Sequence, residues 1–298
     1  MIGRFFILLL GVFFSATSVV MTKASNLSPE FLSAGRLLLA VVFLSPLFLR
    51  DKVRYPDMKM LICLRTSFLP AVLLTLHFFT WTLGARWTTA ANSTLIVNLI
   101  PIAMPFLSMI VLQESLTKHE LFGTAITCCG VIILAIADYH IDASLIGGDF
   151  ICILSMFLVA WYLILARKNK QIPSIWLYLV PLYAQAGILC LLTGLIRTGL
   201  PRQVPVQEWW YIFLLALLPT VFGHSLLNLA MQWFRSQFVA IVAQLQFIYA
   251  GVLGYWFFVE TPHASFYLAS VFMMVGVIWI VLSTSRNKAS HKAHVNPA

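Results

Sequence analysis

Long apolar stretches alternate with short polar turns along almost the whole chain. Because a bilayer core about 30 Å thick needs roughly 20 apolar residues per helix, this pattern predicts transmembrane helices. Ten such stretches occur, so we expect an all-α integral membrane protein in which neighbouring spans pack together. We number the predicted spans 1 to 10; they lie at about 4–22, 31–49, 64–84, 88–112, 119–137, 149–167, 174–196, 208–231, 237–259 and 264–283.

One arrangement of residues occurs twice, 146 residues apart. A span ends at Glu114, a polar turn follows and the next span carries Gly130, and Glu260 and Gly276 repeat this at the same spacing. Each copy holds five spans, an odd number, so the second copy must insert upside down. Such inverted repeats are typical of secondary transporters, which bind their substrate where the two halves meet near the membrane midplane. The predicted units are residues 4–137 and 148–283, followed by a polar cytoplasmic tail at 284–298.

The charges are distributed as in a multi-pass inner-membrane protein. Of the 298 residues, 61% are hydrophobic and 10% charged, and the net charge is +9. With the N-terminus inside, 14 of the 19 Lys and Arg fall on the cytoplasmic side, which satisfies the positive-inside rule with both termini cytoplasmic. The basic balance is therefore a topology signal, and we expect membrane lipids but no nucleic acid as partners. Span 1 also resembles a cleaved signal peptide, and that alternative stays open.

Acidic residues are absent from the middle of every predicted span. A buried carboxylate commonly serves as proton relay or as counter-charge for a cation, so its absence disfavours a strongly cationic substrate. The sequence also lacks the HExxH and GxSxG patterns and a Gly-rich phosphate loop, so we expect neither enzyme activity nor a cofactor or metal site. A membrane-embedded enzyme or lipid-handling protein without transport activity is the alternative reading.

Neutral polar and aromatic side chains lie at membrane depth instead. His77 is followed four residues later by Trp81, and His224 by Asn228, a spacing that places each pair on one helix face. Either they line a cavity or they only join helices by hydrogen bonds, and both readings are open at this point. One histidine near its ordinary pKa would also permit proton coupling.

Four further residues are predicted to act in gating or structure. Arg36 lies about two turns into span 2, where a structural role is favoured over recognition of a carboxylate. Pro101 permits a kink in span 4 because it removes a backbone donor. Glu114 and Glu260 follow spans 4 and 9, and we expect them to bond the N–H groups of the following turn as caps or gate hinges.

Three stretches resemble the EamA-type units of the drug/metabolite transporter superfamily. They are SPEFLSAGRLLLAVVFL, TTAANSTLIVNLIPIAMPFLSMIVLQESLT and LFGTAITCCGVIIL, which contain Arg36, Pro101, Glu114 and Gly130. The second copy is similar through Pro173, Glu260 and Gly276, but it has Phe247 where the family usually has Pro. Span 1 departs as well, with Phe13-Phe14-Ser15-Ala16 in place of the usual Trp-Gly.

The resemblance implies a central cavity lined mainly by spans 1, 3, 4, 6, 8 and 9, and transport by alternating access. It thereby favours the cavity reading for the polar side chains at membrane depth. It also implies that spans 5 and 10 form an outer pair, through which a homodimer is conceivable. The predicted substrate-binding residues are His77, Trp81, Asn98, His224, Asn228, Gln244 and Tyr249.

These observations predict a secondary transporter in the cytoplasmic membrane. Amides and aromatic rings suit a small neutral or zwitterionic metabolite, such as an amino acid or a related amphipathic compound. The family tendency favours efflux over import. We expect a small-molecule substrate and membrane lipids as partners, and proton coupling and a homodimer through spans 5 and 10 stay open.

Overall fold

Helices make up 86% of the described residues in a computed structural model, which describes residues 2–139, 146–201, 203–261 and 264–295. The described residues contain no strand, as expected of a chain whose apolar segments must satisfy their backbone groups internally. In chain order the helices are α1 (Ile2–Ala16), α2 (Ser18–Ala24), α3 (Pro29–Arg54), α4 (Met60–Trp87), α5 (Ala90–Val97), α6 (Ile100–Leu112), α7 (Lys118–Tyr139), α8 (Ile146–Lys168), α9 (Ile175–Thr198), α10 (Val206–Leu215), a π-helical segment (Ala216–His224), α11 (Ser225–Trp233), α12 (Ser236–Ala243), α13 (Gln246–Phe258) and α14 (Ala264–Val295).

Nine segments within the described ranges are long and apolar enough to cross a membrane. Nine of the helix labels combine into four of them, because α1–α2, α5–α6, α10–α11 with the π segment, and α12–α13 each form one segment. The predicted span at 119–137 falls on α7, which is not one of the nine, so ten spans stay a prediction. The last helix continues to Val295, through most of the predicted polar tail.

Side-chain caps begin several helices where the sequence changes from polar to apolar. Ser28 accepts a hydrogen bond from Phe31 N before Pro29 opens α3, and Thr89 accepts one from Asn92 N at 3.0 Å before α5. At α7, Thr117 and Glu120 form a reciprocal capping box, in which each side chain accepts from the other residue's backbone N–H. These polar turns fix where each long helix starts.

The largest helix interfaces pair α3 with α9, α4 with α8 and α9, and α7 with α14. The α7–α14 interface depends on Gly130, where an added Cβ would lie 2.8 Å from the carbonyl oxygen of Ala269. Such close backbone approach is how membrane helices gain dispersion contact without a hydrophobic driving force. The glycines of spans 5 and 10 therefore pack α7 against α14 within one chain.

Two spans are interrupted near their middle, at positions 146 residues apart. Span 4 breaks at Asn98 and Leu99, between α5 and α6, and span 9 breaks at Gln244 and Leu245, between α12 and α13. At both breaks, consecutive N–H groups donate to carbonyls three residues back, which tightens the turn locally. The first break lies next to Pro101, which has no N–H to donate, whereas the second forms without a proline.

The π segment interrupts span 8 in a third way. Pro219 lies inside it, and the hydroxyl of Thr220 donates to Leu215 O at 2.7 Å, five residues back. The hydroxyl of Ser225 likewise donates to Thr220 O at 3.1 Å. Thr220 O also accepts from Ser225 N, so the backbone and the side chain of Ser225 both bond this carbonyl. His224 ends the segment and therefore lies at an irregular point of the backbone.

Candidate functional site

A cavity lies in the middle of the helix bundle, where the interrupted spans meet. It offers about 50 Å³ to the centres of water-sized molecules, which is room for a few waters. The lining residues come from spans 1, 3, 4, 6, 8 and 9, and Ser15, Asn98 and Gln246 lie near the midpoints of theirs. The polar lining residues are Ser15, Ser18, His77, Thr94, Asn98, His224 and Gln246.

The rings of two histidines and one phenylalanine pack together at this cavity. The rings of His77 and His224 are 6.2 Å apart between centroids, and Phe78 lies 5.3 Å from each. The Nδ1 atom of His77 lies 2.7 Å from Ser155 Oγ and 3.1 Å from Ser155 O, so α8 orients this ring. The Nδ1 atom of His224 is buried and has no hydrogen-bond partner. His224 therefore carries an unsatisfied polar atom in the cavity wall.

Trp81 and Asn98 also line the cavity. Trp81 follows His77 by one helical turn, so the four-residue spacing placed both on the same wall, as predicted. The Asn98 amide donates to Thr94 O at 2.8 Å, a carbonyl that also accepts from Asn98 N at 3.1 Å. The hydroxyl of Thr94 is buried without a partner. This wall therefore combines a flat aromatic surface with polar atoms available to a ligand.

The other three predicted binding residues lie outside the cavity lining. The Asn228 amide donates to the hydroxyl of Tyr162 and to His224 O, which joins span 8 to span 6. Gln244 is fully buried at the break in span 9, and neither atom of its amide has a partner. Tyr249 packs its ring edge-on against Phe13, with centroids 5.3 Å apart. Asn228 thus joins two of the lining spans, and Gln244 lies at the break next to the lining residue Ala243.

Arg36 is buried one layer behind the same cavity. Its Nε donates to Thr220 Oγ1 at 2.9 Å and its Nη1 donates to Ser18 Oγ at 3.3 Å. The Cζ atom lies 4.2 Å from the ring centre of Phe78, within cation–π range. Arg36 thereby joins α3 to the π segment, to the α1–α2 break and to α4. It does not snorkel to the interface.

Pro101 contributes to the site through the carbonyl that the next proline frees. Pro105 lacks the N–H that would have bonded Pro101 O in a regular helix. The side chain of Gln237 on α12 donates to that carbonyl at 3.0 Å, and it also bonds Thr124. The two prolines of span 4 therefore create a hydrogen bond between α6 and α12.

Glu114 and Glu260 were expected to be caps or gate hinges that bond the N–H groups of the following turn, and the structure shows each of them in an ion pair. Glu114 pairs with Arg167 at 2.7 Å, and Glu260 pairs with Lys23 at 2.9 Å and accepts from Ala90 N. The preceding residue is left-handed in both places, with φ near 55°, and this turn directs each carboxylate across the bundle. Glu120 fills the capping role, at the start of α7.

These ion pairs lie at opposite ends of the helix bundle. We call the end at which α1 begins the proximal end, and it holds the Glu114–Arg167 pair beside a Glu120–Arg235 pair at 2.6 Å. The distal end holds the Lys23–Glu260 pair and a Glu30–Arg197 pair at 2.5 Å. The hydrogen bond to Glu120 raises the pKa of Arg235, so this guanidinium stays charged. Both ends of the cavity are thus held by charged groups from distant parts of the chain.

The family resemblance implied that span 1 lines the cavity, but none of the predicted binding residues lies on that span. Ser15 and Ser18 line it beside a break at Thr17, where the hydroxyl of Thr17 donates to Phe14 O at 2.7 Å. The signal was the run of small polar residues Ser15-Ala16-Thr17-Ser18 in an otherwise apolar span. Such a run is expected where a backbone bends or another helix approaches closely.

Comparisons with known proteins agree on one family. A model of the EamA-like transporter family matches residues 1–136 and matches again at residues 146–282. The uncharacterized transporter YyaM of Bacillus subtilis (strain 168) is 24% identical over 209 residues, which cover 67% of this chain and 64% of that protein, slightly less than two thirds of its length. Solute carrier family 35 member G1 of Mus musculus is 22% identical over 304 residues, covering 95% and 77% of the two chains.

A crystal structure with 14% sequence identity has the same fold. It covers 95% of this chain and 98% of its own chain, with a TM-score of 0.75. At this identity the likeness concerns the fold alone. The match to the family model, which covers nearly the whole chain, is the finding that bears on function.

Proposed function

Because the chain belongs to the EamA-like transporter family, we propose that it is a secondary transporter that exports a small neutral or zwitterionic metabolite across the cytoplasmic membrane. Transport of some solute follows from the family and from the named relatives. The finer statement concerns the substrate, which we take to be an amino acid or a related amphipathic compound, and the direction, which we take to be outward.

The observation that carries this proposal is the cavity inside the helix bundle, lined by spans 1, 3, 4, 6, 8 and 9. His224 Nδ1, Ser15 Oγ and Thr94 Oγ1 are buried polar atoms in its wall and have no partner within the described structure. An unsatisfied polar group at membrane depth is costly, so a site that keeps several is suited to a ligand that completes them. Trp81 supplies the surface on which an apolar or planar part of the substrate would stack.

Two inverted five-span repeats would explain why features recur 146 residues apart. The family model matches the chain twice, and the two broken spans correspond at Asn98 and Gln244. The left-handed residues Gln113 and Val259 also correspond. In an inverted repeat, equivalent positions fall at opposite faces of the membrane. The Glu114 and Glu260 ion pairs, which lie at opposite ends, agree with that symmetry.

The two ion pairs supply a mechanism for alternating access. Each joins the end of span 1 or 6 in one half to the carboxylate after span 4 or 9 in the other half. Opening the proximal end breaks the Glu114–Arg167 pair, and opening the distal end breaks the Lys23–Glu260 pair. The breaks at Asn98 and Gln244 supply the points at which spans 4 and 9 bend. Both pairs are formed in this structure, which corresponds to a state closed at both ends.

Metabolite profiling of expressing cells tests the function. The medium and cytosol of cells with the wild-type protein are compared with those of cells carrying His224→Ala/Gln244→Ala, at matched protein levels. We expect one class of compounds to be enriched in the medium and to lose that enrichment in the double variant. Phe68→Ala, on a lipid-facing side chain that is 55% exposed, is the matched control and should behave as wild type.

The other outcomes separate the parts of the proposal. Accumulation inside the cells, lost in the double variant, would keep the site and reverse the direction. Enrichment that persists in the double variant would contradict the site. Profiles that match empty cells for every variant would contradict transport and favour the membrane-enzyme or lipid-handling alternative.

A further inference from the structure

Arg36 is a buried cation without a counter-ion. Its side chain is only 2% exposed, and its Nη2 atom has no hydrogen-bond partner. Within the ranges that the structure describes, the ion pairs involve other residues. The guanidinium donates to two hydroxyl groups and lies over an aromatic face. A charge at membrane depth is costly unless it is paired, and for that reason such residues usually belong to a substrate or ion pathway.

The positive charge is one side chain away from the cavity. Ser18 and Phe78 both contact Arg36, and both line the cavity. Because Ser18 Oγ accepts from Arg36 Nη1, its own hydroxyl proton can be donated to an acceptor inside the cavity. A neighbouring cation strengthens that donation by polarising the hydroxyl group. Ser18 can therefore transmit the charge of Arg36 to a bound group.

The rest of the lining fits an anion on one side and an apolar body on the other. No Asp or Glu is among the described lining residues, whereas His224 Nδ1 and Ser15 Oγ are polar atoms that lack partners. Trp81, Met104 and Leu163 supply apolar surface in the same wall. Nothing in this lining would repel a carboxylate, and nothing would neutralise a cationic group.

We propose that Ser18, backed by Arg36, forms the subsite for a carboxylate, so that the transported compound carries one. This inference rests on the proposed transport function and narrows it from neutral or zwitterionic metabolites to carboxylate-bearing ones. Ser18 makes the contact. Arg36 is a positioning residue that acts through Ser18 and supplies the compensating charge. The substrate is thus a zwitterion or a monoanion with an apolar body.

Reconstituted flux of an unselected mixture tests the inference without a chosen substrate. Proteoliposomes containing the full chain are loaded with the aqueous metabolite extract of the expression host, and the compounds released are identified by mass spectrometry. We expect the released compounds to carry a carboxylate, while sugars, polyols, nucleosides and amines stay inside. Arg36→Gln should lower the release rate of these compounds about 30-fold or more. This is the lower limit of the loss that is expected when one partner of a buried charge pair is removed. Arg36→Lys should retain part of the rate.

A matched pair of hydroxyl variants separates a binding role from a structural one. Ser18→Ala and Thr220→Val each remove one hydroxyl that bonds Arg36, but only Ser18 lines the cavity. We expect Ser18→Ala to raise the KM of the released carboxylates far more than Thr220→Val does. Equal effects would mean that Arg36 only joins helices, and they would overturn the inference. This comparison decides the question even when Arg36→Gln does not fold.

The remaining outcomes are also decisive. Release of compounds that lack a carboxylate would overturn the inference and leave transport standing. If compounds without a carboxylate are released in chloride buffer but not in sulfate buffer, the group that occupies the site beside Arg36 is a small inorganic anion. Release of nothing by the wild-type protein would overturn the transport proposal, and with it the inference that depends on it.

Discussion

The two ends of the bundle use the same acidic residue at equivalent positions but different cations. At the proximal end Glu114 meets Arg167, whose guanidinium also donates to Phe234 O and to Met231 O at 3.3 Å. At the distal end Glu260 meets Lys23, whose ammonium also donates to Thr88 O at 2.8 Å. Arginine has five donors in a rigid fork, whereas lysine is a compact charge on a flexible stem.

This difference indicates that the proximal end is the harder one to open. Arg167 ties the end of α8 to the turn after α11, and the Glu120–Arg235 pair lies beside it. At the distal end the ammonium of Lys23 has fewer directional contacts. The Glu260 carboxylate also accepts a hydrogen bond from Ala90 N, so it depends less on Lys23. A transporter with unequal gates rests with the stronger gate closed. We therefore expect the distal end to open more often when no substrate is bound.

The largest effect is expected from Arg167→Gln. The change removes the ion pair with Glu114 and weakens the contacts to Met231 O and Phe234 O, all of which are largely buried. We expect the free energy of unfolding to fall by about 2 kcal/mol, because a partly buried carboxylate loses its partner. Unfolding in mixed micelles with increasing SDS measures this. The free energy of unfolding of Arg167→Lys should lie between those of the wild type and Arg167→Gln. Lysine keeps the positive charge but lacks the planar guanidinium.

A smaller effect is expected from Lys23→Gln at the other end. The ammonium group is lost, but Ala90 N continues to donate to Glu260 at 2.9 Å. The free energy of unfolding should fall by about 1 kcal/mol, toward the range of more exposed pairs. The same SDS titration compares the two variants directly. If Lys23→Gln is as damaging as Arg167→Gln, the two gates are equal and the comparison fails.

The smallest effect, and one of opposite sign, is expected from Val259→Gly. Val259 has φ 56°, a conformation that a β-branched residue adopts only under strain, whereas Gln113 has φ 55° with an unbranched side chain. Glycine at 259 should raise the free energy of unfolding by up to about 1 kcal/mol, and Gln113→Gly should raise it by less. A loss of stability at 259 would show that the Val259 side chain contributes more by packing than its backbone costs.

The parts of the site that were predicted correctly depend on local geometry. The spacing of His77 and Trp81 fixes them on one helix face whatever the tertiary structure, so both could be assigned to one wall. The assignment of the chain to its family likewise depends on repeated local patterns, since Glu114 and Glu260 keep the same offset to their glycines.

The parts that could not be predicted depend on distant partners. Asn228 lies one turn from His224, yet its amide bonds Tyr162 because α8 packs there, and no local pattern indicates that. The environment of Arg36 also requires the π segment, which moves Thr220 into reach. Pro219 predicts an irregular turn in span 8, but it does not predict that the turn is a π helix.

The central claim is that the two ion pairs close opposite ends of one cavity, and distances across each end test it most directly. Spin labels at Lys118 and Lys168 report on the proximal end, and labels at Asn26 and Thr261 report on the distal end, since these side chains are exposed. Double electron–electron resonance should show that Arg167→Gln lengthens only the proximal distance and that Lys23→Gln lengthens only the distal one. If either variant lengthens both distances together, or neither, the two pairs are not alternating gates.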